Sequence, residues 1–308
     1  MQYTQARFGG LVVFVPKKCW KIKRTKQQRK EQMRKRFILV IGCIVFCSLI
    51  WFLNLPAKPA VHATTTNNKY VYLPAIVKAP PPTPTPTPTP DPCEPISGVS
   101  YTAFTIEGSP TDRPATQHAD INLALRGYEP TNAFRGLVDY GGGYDPNAPQ
   151  LYGLFGDQRT PTFTQQYRVY DWDWGCNCRG NLLTTWSVTL SGMQTTPLEV
   201  IRVPDSGYNI GYGYDALVLY ATRERITLKY TREDNVVHGY TVHIENICVE
   251  PSLLALYEQW NTAGRTSLPA VMGGQPIGRA RGSEIRVAIR DNGTFMDPRS
   301  RKDWWRGR

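Results

Sequence analysis

Glu284 and Arg286 stand two residues apart in a segment whose apolar members, Ile285, Val287 and Ile289, alternate with them. That alternation marks a half-buried strand, so a carboxylate and a guanidinium emerge side by side on one face. The chemistry open to such a pair is mutual ion pairing, or an Arg fork on an incoming carboxylate. Asp171-Trp172-Asp173-Trp174 alternates in the same way, predicting both carboxylates on one side of a strand and both indoles on the other. Trp172 and Trp174 then form either a buried pair with an acidic edge or an aromatic platform for a sugar or peptide. His238 and His243, five apart, face opposite sides of any strand that holds them. His118 and Asp120 read as capping and surface groups near a helix start.

Four cysteines follow residue 90: Cys93, Cys176, Cys178 and Cys248. An even set of four allows three pairings. Cys176 and Cys178 are too close to bridge without strain, so cross-links from that pair to Cys93 and Cys248 are expected. The rival is a three-thiolate metal site from Cys176, Cys178 and Cys248; an oxidising compartment favours disulfides. Cys19, Cys43 and Cys47 lie further forward.

The elements that position these groups are short alternating runs between turn residues. Leu151–Phe155, Tyr167–Trp174, Leu183–Leu190, Leu198–Val203, Leu217–Ala221, Ile226–Tyr230 and Tyr240–Ile247 all predict strands. Two segments predict helices. One is His118–Arg126; the other is Pro251–Ala263, with Leu253, Leu256, Tyr257 and Trp260 at helical spacing and Pro in its first turn. The fold class is mainly β, a β-sheet or barrel-like domain with one or two helices. Asn292-Gly293 is a turn signal. The tail, residues 299–308, is expected to dock Trp304 and Trp305 onto the domain, because adjacent exposed indoles are costly in water.

The 308-residue chain carries a formal charge of +11, and its distribution decides what that means. Twelve Lys and Arg in residues 1–36 face only Glu31, which accounts for the whole excess; the remainder is balanced at 24 of each sign. The excess is a topogenic block ahead of an uncharged apolar run, Phe37–Leu53, and not a basic folded face, which argues against nucleic acid as a partner. The run approaches the roughly 20 residues that span a bilayer, and the basic block belongs on its cytoplasmic side. Residues 37–55 are read either as a transmembrane anchor or as a signal helix cut after Val61-His62-Ala63, with Met33 a possible start of the shorter leader. Both readings export the rest, leaving it on the membrane or at the cell surface. Residues 56–92 are a disordered stalk whose Thr-Pro run, to Pro90, forms an extended polyproline-II spacer. Residues 93–187 are a β-rich first part of the exported domain.

Residues 188–298 resemble lysostaphin-type (LytM-like) zinc endopeptidases, β-rich enzymes that cut peptidoglycan cross-bridges. The resemblance rests on Gly274-Gln275-Pro276-Ile277-Gly278, Ile289-Arg290-Asp291-Asn292-Gly293 and Asp297-Pro298. It extends upstream through Gly213–Leu219, the central strand, and Thr227–Arg232. Leu190-Ser191-Gly192-Met193-Gln194 stands where those enzymes carry His-x-Gly-x-Asp, and Glu284-Ile285-Arg286 where they carry His-x-His. The resemblance therefore implies a duplicated hybrid β motif whose metal-ligand positions are Leu190, Gln194 and Arg286. Its remaining histidines are matched by Arg232 and Glu284. An alkyl group, an amide and a cation supply no zinc ligand, so no metal, no cofactor and no catalytic residue are expected there. Arg232, Glu284, Arg286, Leu190 and Gln194 should instead line one degenerate cleft, with two guanidiniums against one carboxylate. The implied function is a catalytically inactive exported domain that binds or scaffolds at the cell wall or envelope, with peptidoglycan or an envelope protein as partner. Two alternatives stay open: an extracytoplasmic hydrolase using His118, His238 or His243, and a purely structural surface or adhesion module.

Overall fold

The computed structural model describes residues 3–8, 11–16 and 93–308. The chain divides into two units, Met1–Pro82 and Thr83–Arg308. In the first, β1 (Tyr3–Phe8) and β2 (Leu11–Pro16) pair antiparallel, from Tyr3↔Pro16 to Phe8↔Leu11. The expected membrane or signal helix at 37–55 and the stalk at 56–92 lie outside the described residues. No helix among the described residues is long and apolar enough to cross a membrane.

The second unit is built on antiparallel β-structure. Its strands are β3 (Thr102–Thr105), β4 (Tyr128–Thr131), β5 (Phe163–Asp173), β6 (Cys178–Leu182), β7 (Leu190–Gln194), β8 (Val200–Arg202) and β9 (Ala216–Thr222). They continue with β10 (Arg225–Lys229), β11 (Tyr240–Glu245), β12 (Ile247–Val249), β13 (Ser267–Val271), β14 (Pro276–Ala280), β15 (Glu284–Asp291) and β16 (Thr294–Phe295). The main sheet runs β3-β13-β9-β10-β11-β15-β7-β5-β4, with β16 on β15 and β6 on β5; β12-β14-β8 form a smaller sheet. The main sheet is open, not closed into a barrel.

The apolar alternation of β15 places Ile285, Val287 and Ile289 in the main core with Ile226, Leu228, Val242, Ile244 and Met193. Each such side chain, fully buried, contributes about 1.5–3 kcal/mol. The opposite face of the same strands is polar, in three cross-strand rows: Arg225–Glu245–Arg286, Thr227–His243–Ala288 and Lys229–Thr241–Arg290. A second, small core of Leu123, Tyr167, Val169, Leu190, Ala288 and Phe295 covers part of that face.

Three short helices complete the unit: α1 (Leu123–Arg126), α2 (Pro251–Thr262) and α3 (Arg301–Trp304). Helix α2 starts where the sequence places it. Glu250 accepts hydrogen bonds from Ser252 N and Leu253 N, and Pro251 occupies the first turn. The other expected helix shrinks to one turn, because Asn122 caps it and Gly127, at φ +68°, stops it. Leu151–Phe155 is not a strand: Leu151–Leu154 form a 3-10 turn, with Gly153 packed on the backbone of Pro204 and Asp205. Leu183–Leu190 is largely a loop, and the strand begins at Leu190. The Asn292-Gly293 signal holds: both residues have positive φ between β15 and β16. The tail docks, with Trp304 Nε1 donating to Asp297 O (2.9 Å) and Trp305 Nε1 to Pro298 O (2.8 Å), and both rings buried.

Candidate functional site

The register of β7 against β15 sets the candidate site. Gln194 stands opposite Glu284, and Gly192 opposite Arg286. Side chains two apart share a face, so Leu190, Gly192, Gln194, Glu284 and Arg286 all belong to one side of the sheet. Gly192 is needed for space: a Cβ there would meet Thr164, the Gln165 carbonyl and, at 2.7 Å, Glu284 Oε2.

A polar cluster occupies this face, with Arg286 still partly exposed. Arg286 Nε donates to Glu284 Oε1 (2.7 Å) and its Nη1 to the Tyr128 hydroxyl (3.0 Å). Thr164 Oγ1 donates to Glu284 Oε2 (2.5 Å), while the Tyr167 hydroxyl lies 3.5 Å from Oε1. The guanidinium carbon sits 5.2 Å from the Tyr167 ring centre and 5.7 Å from that of Tyr128, within cation–π range. Partial burial pulls the Arg286 pKa down, but the bonds to Tyr128 and Glu284 outweigh it and raise it above its ordinary range. Burial, and then the Glu284 charge, push the Tyr167 hydroxyl up. Glu245, opposite Arg286, is buried and raised by desolvation, with Arg225 at 3.0 Å opposing. Tyr128, Tyr167 and Thr164 were not singled out by sequence reasoning, because β4 carries no alternating run and nothing local links residues 128 and 286.

Two members of the expected cleft are not in it as open lining. Leu190 is fully buried in the second core, because an alkyl group on this face packs under Tyr167 and Phe295 instead of facing solvent. Arg232 is elsewhere. It lies beyond the end of β10, whose last residue, Lys229, is level with Arg290, four residues or about 13 Å along the strand from Arg286. Its guanidinium donates to Thr105 O (2.6 Å) and lies 5.7 Å from the Phe104 ring centre. The expected surplus of positive charge is therefore absent, and Arg286 is balanced by Glu284. Gln194 is exposed and borders a cavity of about 390 Å³ shared with Asp157, Arg159, Thr195 and Glu199.

The histidines do not converge. His243 is buried, with Nδ1 3.1 Å from Thr227 Oγ1. Burial, then the Arg290 charge, push its pKa down to about 3. His118 accepts from Asp120 N at 3.2 Å, and His238 lies in the turn before β11. Among the described residues, no group of three or more His, Cys, Asp or Glu side chains is placed to hold a metal ion. Beside His243 lies a buried charge network the sequence did not announce: Asp120 pairs with Arg126 (2.6 Å) and Arg290 (2.8 Å). Burial would raise the Asp120 carboxyl, yet the two guanidiniums hold it below its ordinary value.

Trp172 and Trp174 are neighbours, 6.3 Å apart at 66°, so they form an edge-to-face pair and not a flat platform. Trp174 is 43% exposed, which removes the buried-pair reading. The cysteine pairing is also corrected: the bonds are Cys93–Cys248 and Cys176–Cys178, with Cα separations of 5.1 and 5.3 Å. Asn177 takes φ +51° and folds the chain between its neighbours. The Cα atoms thereby come closer than on an extended strand and into the ordinary disulfide range. The three-thiolate metal site falls with this pairing.

No family model, no curated protein and no solved structure matches the chain.

Proposed function

We propose that residues 93–308 form an exported, catalytically inactive domain whose residues 188–298 are of the LytM-like type, which binds a polar peptide of the cell wall or envelope instead of cutting it. One observation carries the reading: Leu190 and Gln194 flank Gly192, which stands opposite Arg286. The three positions at which a zinc ion would be held in the enzymes this chain resembles lie on one face of the sheet, with Leu190 and Gln194 on either side of the Gly192–Arg286 pair and about 13 Å apart along β7. They hold an alkyl group, an amide and a guanidinium, none of which replaces a hydrolytic zinc ligand. In place of a metal there is the Glu284–Arg286–Tyr128–Tyr167 cluster. Arg286 Nε and one Nη1 proton are taken by Glu284 and Tyr128. Its remaining donors suit a carbonyl or carboxylate, with the two tyrosine rings as walls. The basic block and apolar run at residues 1–53 support export, as a membrane anchor or as a leader removed near Ala63.

The test is cosedimentation of the full chain with purified peptidoglycan. Binding should be lost on Arg286→Ala and retained on Arg232→Ala, which lies off the cluster. Equal binding by both variants, or none by the unaltered chain, contradicts the reading.

A further inference from the structure

The two disulfides occupy opposite environments. Cys248 is 1% exposed, Cys93 is half-buried and their bond spans 155 residues, whereas Cys176 and Cys178 are both exposed at the tip of the β5–β6 hairpin. Chain-entropy stabilisation grows with loop length, so the first bond contributes heavily to stability and the second contributes little. The hairpin does not depend on it: Asp173↔Cys178, Trp172↔Arg179 and Tyr170↔Leu182 pair through the backbone. The tip can therefore keep its fold in both the oxidised and the reduced state, as reversible exchange demands.

We propose that Cys176–Cys178 is a thiol–disulfide exchange site, which oxidises cysteine thiols brought to the tip of this hairpin. An incoming thiolate attacks one of the two sulfurs. A mixed disulfide forms, the Cys176–Cys178 bond breaks, and its electron pair leaves with the other cysteine as a thiolate. A second thiolate of the partner then attacks the mixed disulfide. The partner departs as a disulfide and the hairpin is left as a dithiol, so two electrons have passed from partner to protein.

The surroundings suit this chemistry. Arg113 Nη1 donates to the side-chain Oδ1 of Asn177 (3.3 Å), the residue between the two cysteines. The Arg113 guanidinium is shared with Asp112 at 2.7 Å, and Cys176 Sγ lies 3.6 Å from the Asp173 carbonyl oxygen. Trp172 Nε1 also donates to Asn177 Oδ1 (3.3 Å), fixing the middle residue of the ring. Trp174, two residues before Cys176, is 43% exposed and has the Arg113 guanidinium 4.7 Å from its ring centre.

The experiment equilibrates the full chain in a series of glutathione redox buffers, quenches with acid, alkylates the thiols and maps them by peptide mass spectrometry. Thiols at 176 and 178 should appear faster than at 93 and 248, because both sulfurs of the hairpin bond are exposed while Cys248 is buried and Cys93 only half-exposed. Circular dichroism should stay native meanwhile. Cys178→Ser should trap a glutathione adduct on Cys176. A dithiol peptide should be oxidised by the unaltered chain and not by Cys176→Ser/Cys178→Ser. If the peptide is oxidised faster than glutathione, a protein is the source of the thiol; the reverse order assigns a small thiol. The proposal is overturned if 176 and 178 stay linked until the domain unfolds, or if both disulfides open together.

Discussion

Replacing Lys229 by Met should stabilise the domain, although it removes a charged side chain from the middle of the sheet. Lys229 is fully buried, and its Nζ has no hydrogen-bond partner among the described residues. Its neighbour across the strand, Thr241, likewise has an unpaired hydroxyl. Burial pulls the ammonium from its ordinary 10.5 down to about 8, with the Glu233 charge opposing. At 1.36 kcal/mol per pKa unit, carrying this charge inside costs the folded state about 3 kcal/mol at pH 7. Met keeps most of the stem volume and has no charge to desolvate, so the variant should gain about 2 kcal/mol. In a unit of this size that raises Tm by about 4–8 °C. The pH dependence separates this cause from better packing. The folded pKa is depressed, so between pH 8 and 10.5 the unfolded chain binds more protons and stability rises with pH. The unaltered chain should therefore gain stability from pH 7 to 9.5 in urea melts, and Lys229→Met should lack that component. A variant less stable than the original at pH 7, or an unchanged pH slope, refutes the reasoning.

Two further outcomes follow from buried pairs and bonds. Asp120→Ala leaves Arg126 and Arg290 buried without their shared carboxylate and should cost about 3–5 kcal/mol in denaturant melts; a loss below 1 kcal/mol would mean that their carbonyl acceptors suffice. Cys248→Ser should destabilise by about 2–5 kcal/mol, and Cys176→Ser/Cys178→Ser by less than about 2 kcal/mol; equal losses would contradict the contrast drawn between the two disulfides.

The parts of the fold legible in the sequence are those where burial itself imposes a period. Leu217–Ala221, Ile226–Tyr230 and Tyr240–Ile247 are apolar or alternating because their side chains fill the main core. Helix α2 was legible for the complementary reason, a Pro start and a helical apolar spacing. Leu183–Leu190 misled because local apolarity does not say whether a segment has a partner strand, and here only Leu190 onward does. Within the candidate site, the pairing of Glu284 with Arg286 was legible from their two-residue spacing. Their partners Tyr128, Tyr167 and Thr164 come from strands more than a hundred residues away, and register alone unites them. Arg232 was misplaced because motif order along the chain does not fix position along a strand. The cysteine pairing differs from the expectation because a separation of two residues does not by itself make a pair too close: with Asn177 in a left-handed turn, Cys176 and Cys178 stand 5.3 Å apart, within the ordinary disulfide range.

Zinc titration tests the central claim most directly. Isothermal calorimetry with elemental analysis should find no stoichiometric zinc on the unaltered full chain, because Leu190, Gln194 and Arg286 offer it no ligands. Stoichiometric zinc bound by the unaltered chain at this face would contradict the account.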